Sequence, residues 1–232
     1  MSDGAGGQSA VDHTVAGRTV LIAGASSAAG QAVAAALTDA GAHVIAVGSN
    51  PARLAPVPAA ARYECDLADF AAVHHLADRV NAEHGPVDGL IHLVGGWRGG
   101  GGLTGQTDTD WDFLHTHVLT TLRNTTRAFH ADLLASPAGR LAIVSSVSVN
   151  APTPGGANYA ATKSAAETWV RAIGQGFARA GATTNAGPTA AAVVFVVRSL
   201  DGLEAELARS VVDLWAEPAA SVNLARVTLA AP

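Results

Sequence analysis

Two side chains in the stretch Tyr159-Ala160-Ala161-Thr162-Lys163 have the chemistry and the spacing to exchange a proton. A separation of four residues puts the phenol and the ammonium on one face of a helix. A free tyrosine has a pKa of about 10, and a nearby positive charge favours the phenolate and lowers that pKa. We therefore predict that Lys163 keeps Tyr159 acidic enough to serve as a general acid or base. Ser146 ends the preceding apolar run, where its hydroxyl is expected to hold the substrate oxygen that accepts the proton.

A turn of small residues, Gly24-Ala25-Ser26-Ser27-Ala28-Ala29-Gly30, follows the first apolar run and precedes a helical pattern. Gly24 permits a tight turn, and Gly30 allows the helix to pack closely on the strand. The small residues between them let backbone N–H groups approach an anion, and the helix N-terminus favours a pyrophosphate. The turn therefore predicts a dinucleotide site, with contacts from Gly24, Ser26, Ser27, Ala29 and Gly30.

The end of the second apolar run indicates which dinucleotide is bound. An NAD site usually has an acid about 20 residues after the glycines, where it binds the ribose 2′-hydroxyl. Here the run ends in Val47-Gly48-Ser49-Asn50 without an acid, and Arg53 follows. We predict that Ser49, Asn50 and Arg53 donate to a 2′-phosphate, so NADP(H) is preferred over NAD(H). The alternative is that Arg53 is a solvated residue at a helix start.

The elements that must position these residues are short β-branched runs alternating with Ala-rich stretches of helical periodicity. Nearly continuous apolar strands indicate burial on both faces, and strand–helix alternation indicates right-handed β-α-β units. This pattern predicts an α/β fold with a doubly wound parallel sheet (a Rossmann fold) in three layers, whose ligands bind beyond the carboxyl ends of the strands. The runs are 19–22, 43–47, 89–94, 141–144, 192–197 and 225–229; the helical stretches are 31–40, 69–84, 108–134, 159–180 and 202–215.

The composition favours one globular domain. The chain has 232 residues, of which 49% are hydrophobic and 14% charged. We interpret residues 1–17 as a disordered lead-in and residues 18–232 as a single domain that binds the dinucleotide and carries out catalysis. A net charge of -5 makes a nucleic-acid partner unexpected.

Several other partners and settings are also not expected. The single cysteine, Cys65, excludes an internal disulfide framework and favours a reducing, cytoplasmic setting. The longest apolar run, residues 190–197, is far shorter than the roughly 20 residues of a membrane helix, and the first residues lack the apolar core of a signal peptide. The nine histidines show no metal-binding spacing, so no metal is predicted.

Taken together, Gly24, Gly30, Asp66, Ser146, Tyr159 and Lys163 resemble the short-chain dehydrogenase/reductase family, over about residues 18–229. The resemblance implies a seven-stranded parallel sheet, hydride transfer from a nicotinamide, and a homodimer or homotetramer formed through the long helices. It implies that Ser146 orients the substrate, Tyr159 exchanges the proton and Lys163 holds the nicotinamide ribose. It also implies that Asp66 accepts from the adenine amine, with an ordinary helix cap as the alternative. Further cofactor contacts implied are Leu67, Val94, Gly95 and Gly96.

Several positions depart from the family pattern. His92-Leu93-Val94-Gly95 replaces Asn-Asn-Ala-Gly, Ala28 replaces the middle glycine of the turn, and Val118 replaces the helix asparagine that supports a proton relay to the lysine. His92 or His117 is a candidate replacement for part of that relay. The Pro-Gly after the sixth strand is absent, which predicts a small substrate lid and an open pocket.

One branch of the family shares some of these departures. Residues 94–100, Val-Gly-Gly-Trp-Arg-Gly-Gly, are similar to a segment of dihydropteridine reductases. This similarity places Trp97 near the nicotinamide, where its ring could stack on a flat substrate; the alternative is a loop tryptophan that covers apolar surface. Residues 99–102, all glycine, predict a mobile gate. Pterins, quinones and aromatic or polyketide-like ketones are the candidate substrates.

The sequence therefore favours an NAD(P)H-dependent oxidoreductase that reduces a carbonyl or quinonoid group of a flat small molecule, with Tyr159 as proton donor. Two alternatives on the same fold stay open. One is a nucleotide-sensing binding protein. The other is a non-redox isomerase or cyclase that uses Tyr159 as an acid and does not consume the cofactor.

Overall fold

The structure, a computed structural model, describes residues 14–183 and 187–230. Residues 1–13 of the predicted lead-in lie outside the described residues. The last residues of the predicted lead-in are described, and they pack against the domain. Val15 is only 3% exposed and lies in the core. The Gly17 N–H also donates to the Gly41 carbonyl at 2.8 Å. Val15 and Gly17 therefore contact the domain, and the boundary between residues 17 and 18 stays a prediction.

Seven strands form one sheet in which every neighbouring pair is parallel. Their order across the sheet is β3-β2-β1-β4-β5-β6-β7, so the order reverses between β1 and β4. Such a reversal opens a crevice at the carboxyl ends of the strands. The strands are β1 (Thr19–Ala23), β2 (His43–Gly48), β3 (Ala61–Glu64), β4 (Gly89–His92), β5 (Arg140–Ser146), β6 (Ala191–Val197) and β7 (Arg226–Thr228).

Helices cover both faces of this sheet. They are α1 (Ala28–Asp39), α2 (Pro51–Leu54), α3 (Phe70–His84), α4 (Asp108–Leu114), α5 (Thr121–Ala135), α6 (Ala157–Ala182), α7 (Glu204–Val212) and α8 (Ala219–Val222). Short 3₁₀ turns lie at Val147–Val149, Pro154–Gly156 and Asp213–Trp215. The predicted doubly wound, three-layer α/β fold is confirmed. In residues 14–183 and 187–230, no helix has the length and apolar character needed to cross a bilayer.

The core has two parts because alternate strand residues point to opposite faces of the sheet. On one face, Leu21 and its neighbours pack against α3, α5 and α6, from which Phe129 and Phe177 contribute fully buried rings. On the other face, Val20 and its neighbours pack against α1 and α7. Burial on both faces explains why the strands are almost entirely apolar.

The predicted helix over residues 108–134 is interrupted. A π-helical turn, His115–Thr120, joins α4 to α5. Within it, the His117 ring stacks on Phe113 at 4.1 Å and its Nδ1 lies 2.9 Å from the Phe113 carbonyl. The Thr121 hydroxyl donates back to the His117 carbonyl at 2.8 Å. Such side-chain bonds to backbone carbonyls compete with regular helical bonding, and π-helical turns are frequent at functional sites.

Candidate active site

Two adjoining cavities lie at the carboxyl ends of the strands, where the strand order reverses. The larger has a volume of about 540 Å³ and the smaller about 270 Å³. They share Ser27 and residues 93–95 in their walls, so they form one extended crevice. An elongated ligand can therefore span both.

The glycine turn between β1 and α1 forms one wall of the crevice. Gly24 has a φ of +85°, and a Cβ there would lie 2.9 Å from backbone atoms of Leu93 and Val94. A Cβ on Gly30 would lie 2.6 Å from the Gly24 carbonyl oxygen. The Ser27 hydroxyl caps α1 by accepting from the Gly30 N–H at 3.0 Å. Both glycines are thus required by close backbone approach; Gly24, Ser26, Ser27 and Ala29 line the cavities, whereas Gly30 packs behind them.

Ser146, Tyr159 and Lys163 all line the larger cavity. Ser146 is the last residue of β5, and its Oγ lies 3.1 Å from the Ser148 Oγ. Tyr159 lies in the first turn of α6. Lys163 is 8% exposed and lies one turn later; its Nζ donates to the Val144 carbonyl at 2.8 Å and lies 5.8 Å from the centre of the Tyr159 ring. The fold therefore brings the three candidate catalytic side chains into one cavity.

Burial shifts the pKa values of Tyr159 and Lys163. Burial raises the pKa of Tyr159, and a hydrogen bond with Ser146 acts in the opposite direction. Burial also lowers the pKa of Lys163 to about 8, against a partial compensation by Glu167. The burial of Tyr159 therefore acts against the lowered pKa that the spacing of Tyr159 and Lys163 predicts.

His92 occupies the buried end of the larger cavity. It is 3% exposed, and its Nε2 and Nδ1 lie 3.2 Å from the Thr121 Oγ1 and 3.1 Å from the Thr125 Oγ1. Burial, with a smaller contribution from the charge of Lys163, lowers the pKa of His92 to about 3, so the ring is neutral. The other relay candidate, His117, lines the smaller cavity, and Val118 is buried in the core.

The smaller cavity contains most residues predicted for the nucleotide end. Ser49, Arg53, Asp66 and Leu67 line it. The Asp66 carboxylate accepts from the Ala68 N–H at 2.9 Å, whereas the cap of α3 is Asp69; the helix-cap alternative for Asp66 is therefore wrong.

Asn50 is not among the residues that line either cavity. Its side-chain oxygen accepts from the Arg53 N–H at 3.1 Å and caps α2. The short helix α2 is absent from the predicted elements, so the sequence analysis did not assign Asn50 this role. The prediction that Asn50 donates to a 2′-phosphate is not supported by its position.

Trp97 is 65% exposed and lines the larger cavity together with Val94, Gly95 and Gly96. The glycine-rich segment that follows, residues 99–105, is hydrogen-bonded to the chain just before α6. Gln106 Nε2 donates to the carbonyls of Gly100, Gly102 and Gly155 at 3.0–3.2 Å, and the Gly100 N–H donates to Gly155 at 2.8 Å. Gln106, a residue that no sequence motif marks, therefore connects this segment to the chain before α6, and the mobile gate stays a prediction.

The chain after β6 contributes the outer wall of the larger cavity. Val197 is the Cα partner of Ser146, so the residues that follow lie near this candidate catalytic serine. Six residues separate β6 from α7, which leaves no room for a long lid. The sequence analysis did not assign the wall residues Arg198, Ser199, Asp201 and Glu204 to the site. Elsewhere in residues 14–183 and 187–230, no three His, Cys, Asp or Glu side chains lie close enough to hold a metal ion.

A family model for short chain dehydrogenases matches residues 18–197. The chain belongs to this family. The matched range contains the glycine turn and all three candidate catalytic residues, and it ends with β6. The resemblance to the family is therefore confirmed, while the similarity of residues 94–100 to dihydropteridine reductases stays a prediction.

Curated relatives include dehydrogenases and oxidoreductases. The 2,3-dihydro-2,3-dihydroxybenzoate dehydrogenase of Bacillus subtilis (strain 168) is 29% identical over 168 residues, which span 69% of this chain and 64% of the relative. Oxidoreductase UcpA of Escherichia coli (strain K12) is 29% identical over 178 residues, which span 73% of this chain and 67% of the relative. The chain thus covers slightly less than two thirds of the first of these relatives.

Solved structures share the fold over almost the whole chain. A gluconate 5-dehydrogenase from Burkholderia cenocepacia J2315, in complex with NADP and tartrate, has a TM-score of 0.76 and 23% identity, with coverage of 94% of this chain and 95% of that chain. A short-chain type dehydrogenase/reductase from Mycobacterium ulcerans has a TM-score of 0.80 and 19% identity, with coverage of 93% and 89%. At these identities the likeness establishes the fold.

Proposed function

We propose that the protein is an NAD(P)H-dependent reductase that acts on a carbonyl or quinonoid group of a flat small molecule, with Tyr159 as proton donor. The observation that carries this proposal is the presence of Ser146, Tyr159 and Lys163 in one cavity of about 540 Å³ that adjoins the glycine turn. Membership of the short-chain dehydrogenase family supports the same reaction class.

The crevice fits a nicotinamide dinucleotide. Its walls include the glycine turn, Asp66 and Lys163, and Gly24 lets the turn approach the backbone of Leu93 and Val94 closely. We infer that the turn holds the pyrophosphate, Asp66 the adenine amine and Lys163 the nicotinamide ribose. When bound, the nicotinamide would supply the hydride.

The protein's own residues position the substrate oxygen and supply the proton. The Ser146 hydroxyl, held by Ser148, is placed to donate to that oxygen. Tyr159 stays protonated at neutral pH because burial raises its pKa, so it is ready to donate a proton. A protonated acid favours reduction over oxidation near neutral pH.

The substrate class is inferred from the exposed Trp97 ring beside Val94 and Gly95. An indole exposed in the wall of the crevice offers a flat apolar face on which a conjugated ring can stack. A relative whose name specifies 2,3-dihydro-2,3-dihydroxybenzoate supports a ring-bearing substrate. Oxidation of NADPH and NADH in the presence of quinones, dihydropterins and aromatic ketones tests this proposal.

The outcomes of that screen separate the candidate functions. Stoichiometric oxidation of NADPH with one of these substrates supports the reductase. Product formation without net cofactor oxidation would instead identify an isomerase or cyclase. Tight dinucleotide binding with no turnover of any member of the panel would favour a nucleotide sensor.

A preference for NADP(H) follows from the charge at the nucleotide end. Arg53 lines the smaller cavity, and no acidic residue ends β2. An Arg53→Gln variant is therefore expected to bind NADPH about 10- to 150-fold more weakly while its affinity for NADH is unchanged, since a charge-assisted bond to a phosphate contributes about 1.5–3 kcal/mol. Fluorescence titration of both cofactors measures this difference.

The matched control for that titration is Arg179→Gln, which removes an exposed arginine in the last turn of α6. This control should leave both affinities unchanged. Tighter binding of NADH than of NADPH by the unmodified protein would refute the preference.

We also propose that two copies associate through α5 and α6. These helices carry a surface groove of about 460 Å³ lined by Arg127, His130, Trp169 and Ile173. An amphipathic groove with an aromatic side chain is typical of an interface. Light scattering is expected to give at least twice the chain mass of 23.2 kDa, and a value equal to one chain would contradict this proposal.

A further inference from the structure

An ion pair between a buried glutamate and a partly exposed arginine lies behind the catalytic lysine. Glu167 follows Lys163 by one helical turn on α6 and is 7% exposed. Arg226, the first residue of β7, donates from Nε to the Glu167 Oε2 at 3.1 Å and from Nη2 to its Oε1 at 3.3 Å. The two parallel hydrogen bonds fix the carboxylate in one orientation.

The same pair reaches the strand that carries Ser146. The Arg226 Nη2 lies 3.4 Å from the Ser146 carbonyl oxygen, and the Lys163 Nζ donates to the Val144 carbonyl at 2.8 Å. The Lys163 ammonium and the Arg226 guanidinium thus both contact backbone carbonyls at the end of β5. The contacts connect three elements, β5, α6 and β7, directly around the catalytic group.

We propose that Glu167 is a positioning residue that keeps Lys163 in its ammonium form, and that Arg226 fixes the orientation of the Glu167 carboxylate and the end of β5. The inference deepens the proposed function, since it rests on that function for the role of Lys163. Through Arg226, the edge strand β7 would therefore contribute to positioning the catalytic residues.

The physical reason is the cost of burying the ammonium. Burial lowers the pKa of Lys163 to about 8, and the charge of Glu167 acts against this fall. Residues four apart on a helix are neighbours, so the Glu167 side chain lies one helical turn from Lys163 on the same face of α6. A buried carboxylate needs a partner of its own, because burying an unpaired charge is costly; Arg226 provides that partner through two hydrogen bonds.

Other ionisable groups also surround Lys163. His92 on β4 is neutral, and Tyr159 on α6 is a protonated phenol near neutral pH. The wall after β6 contributes charges to the same cavity, from Arg198, Asp201 and Glu204. Those three lie in the exposed wall or at the start of α7, where water screens them, whereas Glu167 is buried beside the lysine on its own helix.

The sequence offers a direct test, because Lys163 is the sole lysine among the 232 residues. Protein labelled with ¹³Cε-lysine gives one side-chain NMR signal, whose pH titration reports Lys163 without cofactor or substrate. In Glu167→Gln the midpoint is expected to fall by about one pH unit, since an opposite charge within a few ångströms commonly shifts a pKa by about one to three units.

The matched control is Glu206→Gln on α7. It removes the same charge from an ion pair with Arg209, whose Nη2 lies 2.6 Å from the Glu206 carboxylate, but this pair is exposed and the control should leave the Lys163 midpoint unchanged. If Glu167→Gln does not fold, the double variant Glu167→Leu/Arg226→Leu replaces the pair by apolar side chains and should show the same fall. An unmoved midpoint in a folded variant, or an equal fall in the control, would overturn the inference.

Activity gives a second readout. When Lys163 loses its proton at lower pH, the alkaline limb of the kcat profile of Glu167→Gln should move to lower pH by the same amount as the NMR midpoint. A midpoint that falls while no dinucleotide-dependent turnover exists would leave the Glu167 inference standing and refute the proposed function. A kcat profile that stays in place despite a lower midpoint would refute the catalytic consequence of Glu167.

Discussion

Replacing Tyr159 by phenylalanine is expected to lower kcat by about 10²–10⁴-fold, the usual contribution of a positioned general acid. The phenol lies in the cavity with Ser146 and Lys163, and its raised pKa keeps it protonated at neutral pH. Removal of one hydroxyl leaves the ring in its partly buried position, so the fold and the dinucleotide affinity should be preserved. Steady-state kinetics together with a cofactor titration measure both effects.

The chain supplies its own matched control, because it has two tyrosines. Tyr63 on β3 donates to the Glu83 carboxylate at 2.6 Å and lies 2.8 Å from the His84 Nε2, and its pKa is raised to about 12. Tyr63→Phe should therefore cost about 1 kcal/mol of stability and leave kcat unchanged. Equal losses of activity in both variants, or an unchanged kcat in Tyr159→Phe, would remove Tyr159 from the mechanism.

The parts of the molecule that the sequence predicts are those that depend on local pattern. The apolar runs that became β1 and β2 are continuous because both faces of the sheet are covered, so their burial could be inferred directly. Gly24 and Gly30 lie where a Cβ would collide with backbone atoms. The close approach is therefore visible in the sequence as glycine at both positions. The spacing of Tyr159 and Lys163 likewise follows from the period of a helix.

The features that the sequence did not reveal depend on residues far apart in the chain. Arg226 meets Glu167 across 59 positions, and Gln106 meets Gly155 across 49. Such contacts follow from the order of strands and from loop paths, which leave no periodic pattern. The capping role of Asn50 could not be predicted either, although its partner is near in sequence. The helix that it caps has four residues, which are too few to produce a helical periodicity.

The pKa of Tyr159 required the structure for a further reason. A sequence gives the distance along a helix between a phenol and an ammonium, but it does not give their burial. Once both groups are buried, the desolvation of each opposes its charged form. This opposing effect explains why burial raises the pKa of Tyr159 while it lowers the pKa of Lys163. It also means that the charge of Lys163 lowers the stability of the fold.

The variant Lys163→Met is therefore expected to lose activity and to gain stability. A pKa that falls from 10.5 to about 8 on folding corresponds to a cost of roughly 3 kcal/mol for the charged form. Methionine removes this cost but also removes the hydrogen bond to the Val144 carbonyl, which contributes about 1 kcal/mol. At pH 7 the free energy of unfolding should rise by about 2 kcal/mol.

The pH dependence of this gain has a defined sign. Between about pH 8 and pH 10.5 the unfolded chain keeps the proton on Lys163 while the native protein releases it, so the stability of the unmodified protein rises with pH. The advantage of Lys163→Met should therefore shrink across this range and reverse above it, where only the lost hydrogen bond remains. Urea unfolding of both proteins at pH 7, 9 and 10.5 measures this crossing. A variant less stable than the unmodified protein at pH 7 would show that the lysine is buried without cost, and the same finding would remove the physical reason for a carboxylate at Glu167.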